Sequence, residues 1–258
     1  MDSATSEKSI IALDGWLQTP AGAYARAWEQ ATLDALTADI FGFNAVQIGT
    51  PQIDALAASR MPNKWLADTR ARRQPGDARQ VAVTFDYAEL PFASQSLDLV
   101  VLPHVLEFAA EPHQVLREVE RVLIPEGKLI ICGFNPASLW GMRRVTGRLT
   151  GSHYLPQAGE FISMPRIKDW LKLLNMEVSN GHFGCYAPAC RTEKWLKRYA
   201  FMDHAGARWW PYLGAVYAVQ AIKRVKGMRL IGPAWSKNRA TAAVGVPATN
   251  KHRERQDG

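Results

Sequence analysis

Apolar positions along this chain fall into short unbroken runs separated by amphipathic stretches, and the clearest alternation spans residues 97–135. Leu97, Leu99, Val100, Val101 and Leu102 read as a strand buried on both faces, ending at Pro103-His104. A helix follows from Pro112, a residue suited to a first helical position. Val115, Leu116, Val119, Val122 and Leu123 share its apolar face, and Arg117, Glu118, Glu120 and Arg121 turn to water. Pro125 and Gly127 end the helix, and residues 128–132 return as the next strand. Such a unit is a right-handed βαβ crossover in a parallel sheet, where ligands lie beyond the carboxyl ends of the strands. Here those ends are Pro103-His104 and Gly133-Phe134-Asn135.

The same reading extends in both directions. Thr19-Pro20 opens a helix whose stripe of Tyr24, Trp28, Ala31, Ala35 and Leu36 runs toward Phe41-Gly42. Packing is enough to account for Tyr24 and Trp28. Strands are expected at residues 45–48, 64–67 (ending at Asp68) and 81–85 (ending at Asp86), with a turn at Gly49-Thr50-Pro51 and then a helix over residues 52–59. Residues 69–80 form a polar, basic loop, and 136–160 a long Gly- and Arg-containing excursion. A helix over 164–174 carries Ile167, Trp170, Leu171 and Leu174 on one face. Residues 176–186 and 212–222 read as an antiparallel pair at the sheet edge, flanking a helix over 191–200, and 237–258 reads as a disordered tail.

Composition narrows the class. At 258 residues, 47% hydrophobic and 21% charged, the chain has the makeup of one α/β domain with appendages. The first nine residues are polar and charged, and no apolar run reaches the length of a membrane span, so a cytoplasmic protein is expected. Three scattered cysteines, Cys132, Cys185 and Cys190, suit neither a disulfide framework nor a metal site. The net charge of +7 is uneven, since residues 191–258 hold 14 Lys or Arg against 4 Asp or Glu.

Several segments together carry a resemblance. Asp86-Tyr87-Ala88-Glu89-Leu90-Pro91-Phe92, Leu97-Asp98-Leu99-Val100, Val105-Leu106-Glu107, Arg117-Glu118, Arg121-Val122-Leu123 and Pro125-Glu126-Gly127 follow one another as in the type 11 group of class I S-adenosylmethionine-dependent methyltransferases. The resemblance implies a Rossmann-like α/β fold with a seven-stranded, mostly parallel sheet, an antiparallel edge strand and helices on both faces. It implies residues 1–42 as a helical lid, 43–233 as the methyltransferase-like domain and 234–258 as a basic tail. It also implies S-adenosylmethionine as cofactor, its methyl group transferred to an acceptor the sequence does not name.

Displacement at a sulfonium methyl needs alignment of donor and acceptor more than a fixed triad. The resemblance places cofactor contacts at Gly49, Thr50, Asp68, Asp86, Tyr87, Pro103 and His104. Asp68 meets ribose hydroxyls, Asp86 accepts the adenine amino group, and Tyr87 offers its backbone beside that ring. His104 is the candidate catalytic residue, either touching the cofactor or taking a proton. Arg143, Arg144, His153 and Tyr154 lie in the excursion that covers the acceptor in this group.

The turn after the first strand departs from the pattern. The group carries an acid, one residue, then Gly-x-Gly-x-Gly, whereas this chain reads Gln47-Ile48-Gly49-Thr50-Pro51-Gln52-Ile53. Pro51 removes space and a donor, although the free N–H groups of Gln52 and Ile53 at a helix start would still suit a carboxylate. The alternative is therefore an inactive methyltransferase-fold binding or regulatory protein. A further alternative is an RNA-associated protein. For that one, Arg208-Trp209-Trp210-Pro211-Tyr212 and the basic run 223–229 offer a surface for RNA or membrane headgroups.

Overall fold

Unbroken apolar runs fold as the central strands, because only a strand covered on both faces hides such a run. A computed structural model of the chain describes residues 13–69, 81–84, 87, 89–151, 153–156 and 159–224, without the side chains of 83–84 and 148–150. Asp86, the basic loop 70–80 and the tail fall outside the described residues.

The strands are β1 (Asn44–Ile48), β2 (Asn63–Asp68), β3 (Val83–Thr84), β4 (Leu97–Pro103), β5 (Leu123–Phe134), β6 (Met176–Gly184) and β7 (Val216–Lys223), in the order β3-β2-β1-β4-β5-β7-β6. β1 to β5 pair in parallel. β7 runs antiparallel to both β5 and β6, so the antiparallel strand lies one place in from the edge and β6 lies outside it. β5 starts earlier than the Pro125-Glu126-Gly127 segment suggests. Leu123 already pairs with Leu97, and the register shifts before Leu99 meets Lys128.

The helices are α1 (Pro20–Ala38), α2 (Val105–Phe108), α3 (Pro112–Val122), α4 (Leu139–Thr150), α5 (Met164–Leu173), α6 (Glu193–Arg198) and α7 (Phe201–Trp209), followed by a 3-10 turn at Pro211–Leu213. One sheet face, through Val46, Ile48, Val100, Leu102, Leu129 and Ile131, packs against α3, α5 and residues 13–25. The opposite face, through Ala45, Leu99, Val101 and Ile130, is covered by Leu33 and Ile40 beside Ile53, Leu56 and Met61.

Three expectations change. Residues 52–59 are turns, not a helix. The Gln47 side chain and the Asp54 carboxylate, which accepts from Leu56 N, take up backbone groups that a helix would need. The excursion after β5 contains α4, started by Ser138, whose side chain accepts from Gly141 N. The buried stripe of α1 is Ala21, Gly22, Ala25, Glu29, Leu33 and Thr37, one position on from Tyr24 and Trp28, which are half-buried. Trp28 still matters, because a Cβ on Gly184 would come within 2.0 Å of its ring, so that strand needs glycine there.

Glu118 and Arg121 do more than face water. Glu118 accepts from Leu90 N, and the Arg121 guanidinium donates to the Leu90 and Phe92 carbonyls, so α3 clamps the turn that leads into β4.

Candidate active site

The carboxyl edge of β1, β2 and β4 brings together most of the expected residues. Gly49 leaves β1 with φ +74°, its N–H donating to Ala67 O at 2.8 Å. A Cβ at Gly49 would lie 3.0 Å from Val105 Cγ2 and 3.2 Å from the Tyr87 hydroxyl, so the position is a cradle that a side chain would fill. Thr50 follows at φ 46°, and its hydroxyl donates to Pro103 O at 2.8 Å, tying the β1 turn to the end of β4. Asp68 ends β2 and is 6% exposed. Its Oδ1 accepts from Thr69 N at 2.7 Å and from the Tyr87 hydroxyl at 3.0 Å. Tyr87 thus turns its phenol toward Asp68. Gly49, Thr50, Tyr87 and His104 line a narrow cleft with Leu13, Val105 and Phe108. Asp86 lies outside the described residues.

Gln47 is buried and organises the turn from below. Its Nε2 donates to the carbonyls of Gly49, Thr50 and Ile53 at 3.1, 3.0 and 2.8 Å, while its Oε1 accepts from Ala55 N at 3.0 Å. Ile53 N donates back to Thr50 O, so no helix N-terminus is presented to the cavity by Gln52 and Ile53.

His104 sits at φ 57°, a left-handed conformation costly for a residue with a Cβ. Its ring stacks 4.4 Å from Phe134, and both nitrogens are held by buried carboxylates: Nε2 by Glu29 Oε1 at 2.6 Å and Nδ1 by Glu107 Oε2 at 2.7 Å. Glu107 Oε1 also accepts from Phe134 N at 2.6 Å, whereas Glu29 Oε2 is buried with no hydrogen-bond partner. Burial by itself would lower the His104 pKa, but Glu29 and Glu107 outweigh it and push it up to about 10. Burial pushes Glu107 up as well, against the bonds from His104 and Phe134. Each ring nitrogen is thus engaged by a carboxylate oxygen, an arrangement that favours the imidazolium.

Glu29 and the organising role of Gln47 are invisible in the motifs. A signal for Glu29 does exist: it falls four residues after Ala25 and four before Leu33, a charged side chain on the buried stripe of α1. Among the residues of the excursion, Tyr154 is buried and donates to Cys190 O, Arg144 lies with its guanidinium 3.8 Å over the Phe161 ring, and Arg143 and His153 are exposed. No group of three or more metal-ligating side chains occurs among the described residues.

Residues 58–131 match the family described as methyltransferase domain. The fold is similar to that of an S-adenosylmethionine-dependent methyltransferase of Thermotoga maritima, described as a possible histamine N-methyltransferase. The TM-score is 0.60 at 16% identity, over 82% of this chain and 94% of that one. Over 82 residues, 32% of this chain and 34% of the other, the sequence is 38% identical to a demethylmenaquinone methyltransferase of Clavibacter sepedonicus. The chain thus has the fold of class I S-adenosylmethionine-dependent methyltransferases and carries a methyltransferase domain match over residues 58–131. Along its length it is 31% identical to the uncharacterized protein YafS of Escherichia coli K12, over 99% of this chain and 100% of that one, and it belongs to the same family.

Proposed function

We propose that the chain holds S-adenosylmethionine across the carboxyl edge of β1, β2 and β4 and directs methyl transfer to an acceptor entering over β4 and β5. The observation that carries this reading is the convergence of Gly49, Thr50, Tyr87 and His104 on one cavity with Asp68 hydrogen-bonded to Tyr87. When bound, the cofactor supplies a methyl group activated by a sulfonium charge. Gly49 leaves room for close backbone approach, and Thr50 holds that turn against Pro103. Asp68, steadied by Tyr87, presents a carboxylate to ribose hydroxyls, and Asp86 serves the adenine amino group.

His104 acts here as a charged wall and not as a base. Two carboxylates surround one imidazolium, and the excess negative charge favours a cationic sulfonium over a neutral product. Among the described lining residues, only Tyr87 and His104 carry ionisable side chains. The acceptor therefore arrives ionised or gives its proton to solvent.

Titration calorimetry with S-adenosylmethionine and S-adenosylhomocysteine tests the reading. Binding that weakens at least about ten-fold in Asp68→Ala is expected, each factor of ten being about 1.4 kcal/mol, and no heat at millimolar ligand refutes it. One observation favours a second reading, a binding module without turnover: residues 52–59 present turns where a helix N-terminus would meet a carboxylate. Loss of ligand binding by a well-folded chain would move the assignment there.

A further inference from the structure

α6, α7 and the turn Pro211–Leu213 pack inward through very few side chains. Leu196 and Gly206 are buried, and a Cβ on Gly206 would come within 2.3 Å of the Tyr186 ring. Asp203 turns in, accepting from the Tyr24 hydroxyl at 2.5 Å and from Tyr186 N at 3.0 Å. The remaining large side chains point out: Phe201, Trp209 and Tyr212 are 64%, 74% and 73% exposed, and Trp195, Trp210 and Leu213 accompany them. The outward rings therefore stand on a pinned base.

The position of this face is specific. The Asn135 side chain donates to the carbonyls of Tyr212 and Gly214 at 2.8 and 2.9 Å, fixing the turn to the residue that follows β5. That is the sheet edge on which Gly49 and His104 open. α4 starts on the same edge, with Trp140 Nε1 donating to Ala187 O at 2.8 Å, and it exposes a second apolar stripe of Leu139, Met142 and Val145.

Charge completes the pattern. Residues 191–213 contain five Lys or Arg against Glu193 and Asp203. Of these two acids, Asp203 is turned in and Glu193 is paired with Lys197 at 2.7 Å. Exposed tryptophan and tyrosine rings in a segment with excess cations, Arg198 lying 5.4 Å over the Trp195 ring, suit the headgroup level of an anionic bilayer, where rings enter the interface and cations meet phosphate. Nucleic acid is the poorer fit, because bases stack on rings but gain nothing from aliphatic Leu139, Met142, Val145 and Leu213. No helix among the described residues is long and apolar enough to cross a membrane, so the contact is one of surface to surface.

We propose that the face formed by α6, α7 and Pro211–Leu213, extended by the exposed stripe of α4, docks on an anionic lipid bilayer. Docking orients the cavity-bearing edge of the sheet toward the membrane, which suits an amphiphilic acceptor. The proposal does not depend on methyl transfer, since vesicle binding needs no cofactor.

Co-sedimentation of the full chain with vesicles of equal parts phosphatidylglycerol and phosphatidylethanolamine, against phosphatidylcholine vesicles, tests it. The chain is expected to partition onto the anionic vesicles. Trp209→Ala/Tyr212→Ala and Lys194→Glu/Arg208→Glu should each lower that partition by at least about ten-fold while melting as the parent does. Should the aromatic variant fail to fold, the charge variant carries the test. The proposal is overturned if the parent stays in the supernatant, if all three proteins partition equally, or if single-stranded RNA and not vesicles shows the dependence on these residues.

Discussion

Glu29 and Glu107 grip His104 from opposite sides but not equivalently, and glutamine substitution separates them. Glu107 uses both oxygens, one for His104 Nδ1 at 2.7 Å and one for Phe134 N at 2.6 Å. Glu29 uses one, at 2.6 Å from Nε2, and leaves Oε2 buried without a partner. In Glu29→Gln the amide NH₂ takes the unpartnered place, the carbonyl keeps the bond from Nε2, and one buried charge disappears. In Glu107→Gln the carbonyl must serve either Phe134 N or His104 Nδ1, and the NH₂ then faces the other. The arrangement is satisfied only if His104 gives up its Nδ1 proton and accepts from the amide. Losing a hydrogen bond to a charged group costs about 1.5–3 kcal/mol, so Glu107→Gln is expected to lose about that much stability and Glu29→Gln less than about 1 kcal/mol. Urea unfolding measures the two losses. Nitrogen-15 spectra of labelled histidine report the ring, which should be neutral with its proton on Nε2 in Glu107→Gln at neutral pH. Equal losses, or a doubly protonated ring in Glu107→Gln, would refute the reasoning.

The same cluster predicts a pH dependence. The folded-state pKa of His104 lies above its ordinary 6.5, at about 10, so its contribution to stability is complete below 6.5 and is lost as pH rises toward 10. The expected slope is about 1.4 kcal/mol per pH unit across that window, measured by urea unfolding at stepped pH, and it should vanish in His104→Gln. Glu107 is also raised above its ordinary 4.5 by burial, so its effect has the same sign. Gly49→Ala forces a Cβ against Val105 and Tyr87 at φ +74°, and it should weaken S-adenosylhomocysteine binding at least about ten-fold by calorimetry while costing about 1 kcal/mol or more in folding. Gln47→Leu deletes four hydrogen bonds under the β1 turn and leaves buried carbonyls unpaired, so thermal unfolding should show a loss of about 2–4 kcal/mol.

The parallel strands were legible because burial on both faces leaves a signature no amphipathic element shares, and Leu97 to Pro103 is its clearest case. Asp68 and His104 were legible for a related reason, since a polar residue that ends such a run falls at the carboxyl edge. The turns over 52–59 were not legible. Ala55, Leu56, Ala57 and Ala58 favour a helix locally, and only the side chain of Gln47, reaching across six residues, and the Asp54 turn hold the backbone otherwise. α4 was obscured by Gly141 and Gly147 within it, though Ser138 stood as its cap. Glu29 escaped because its partner His104 is 75 residues away in sequence, a contact that only the assembled fold creates.

Residue 47 and the shape of the loop above it are mutually locked. The amide of Gln47 donates to three carbonyl oxygens, and a carboxylate there would meet all three as like partial charges. An acid at this position therefore requires the peptide planes of Gly49, Thr50 and Ile53 to turn over together. Either change by itself leaves buried polar groups facing like partners, so the residue and the turn are expected to change together. The floor of the loop also carries no titrating group, in contrast to the charged wall at His104. One side of the cavity is thus indifferent to acidity, and the other responds to it.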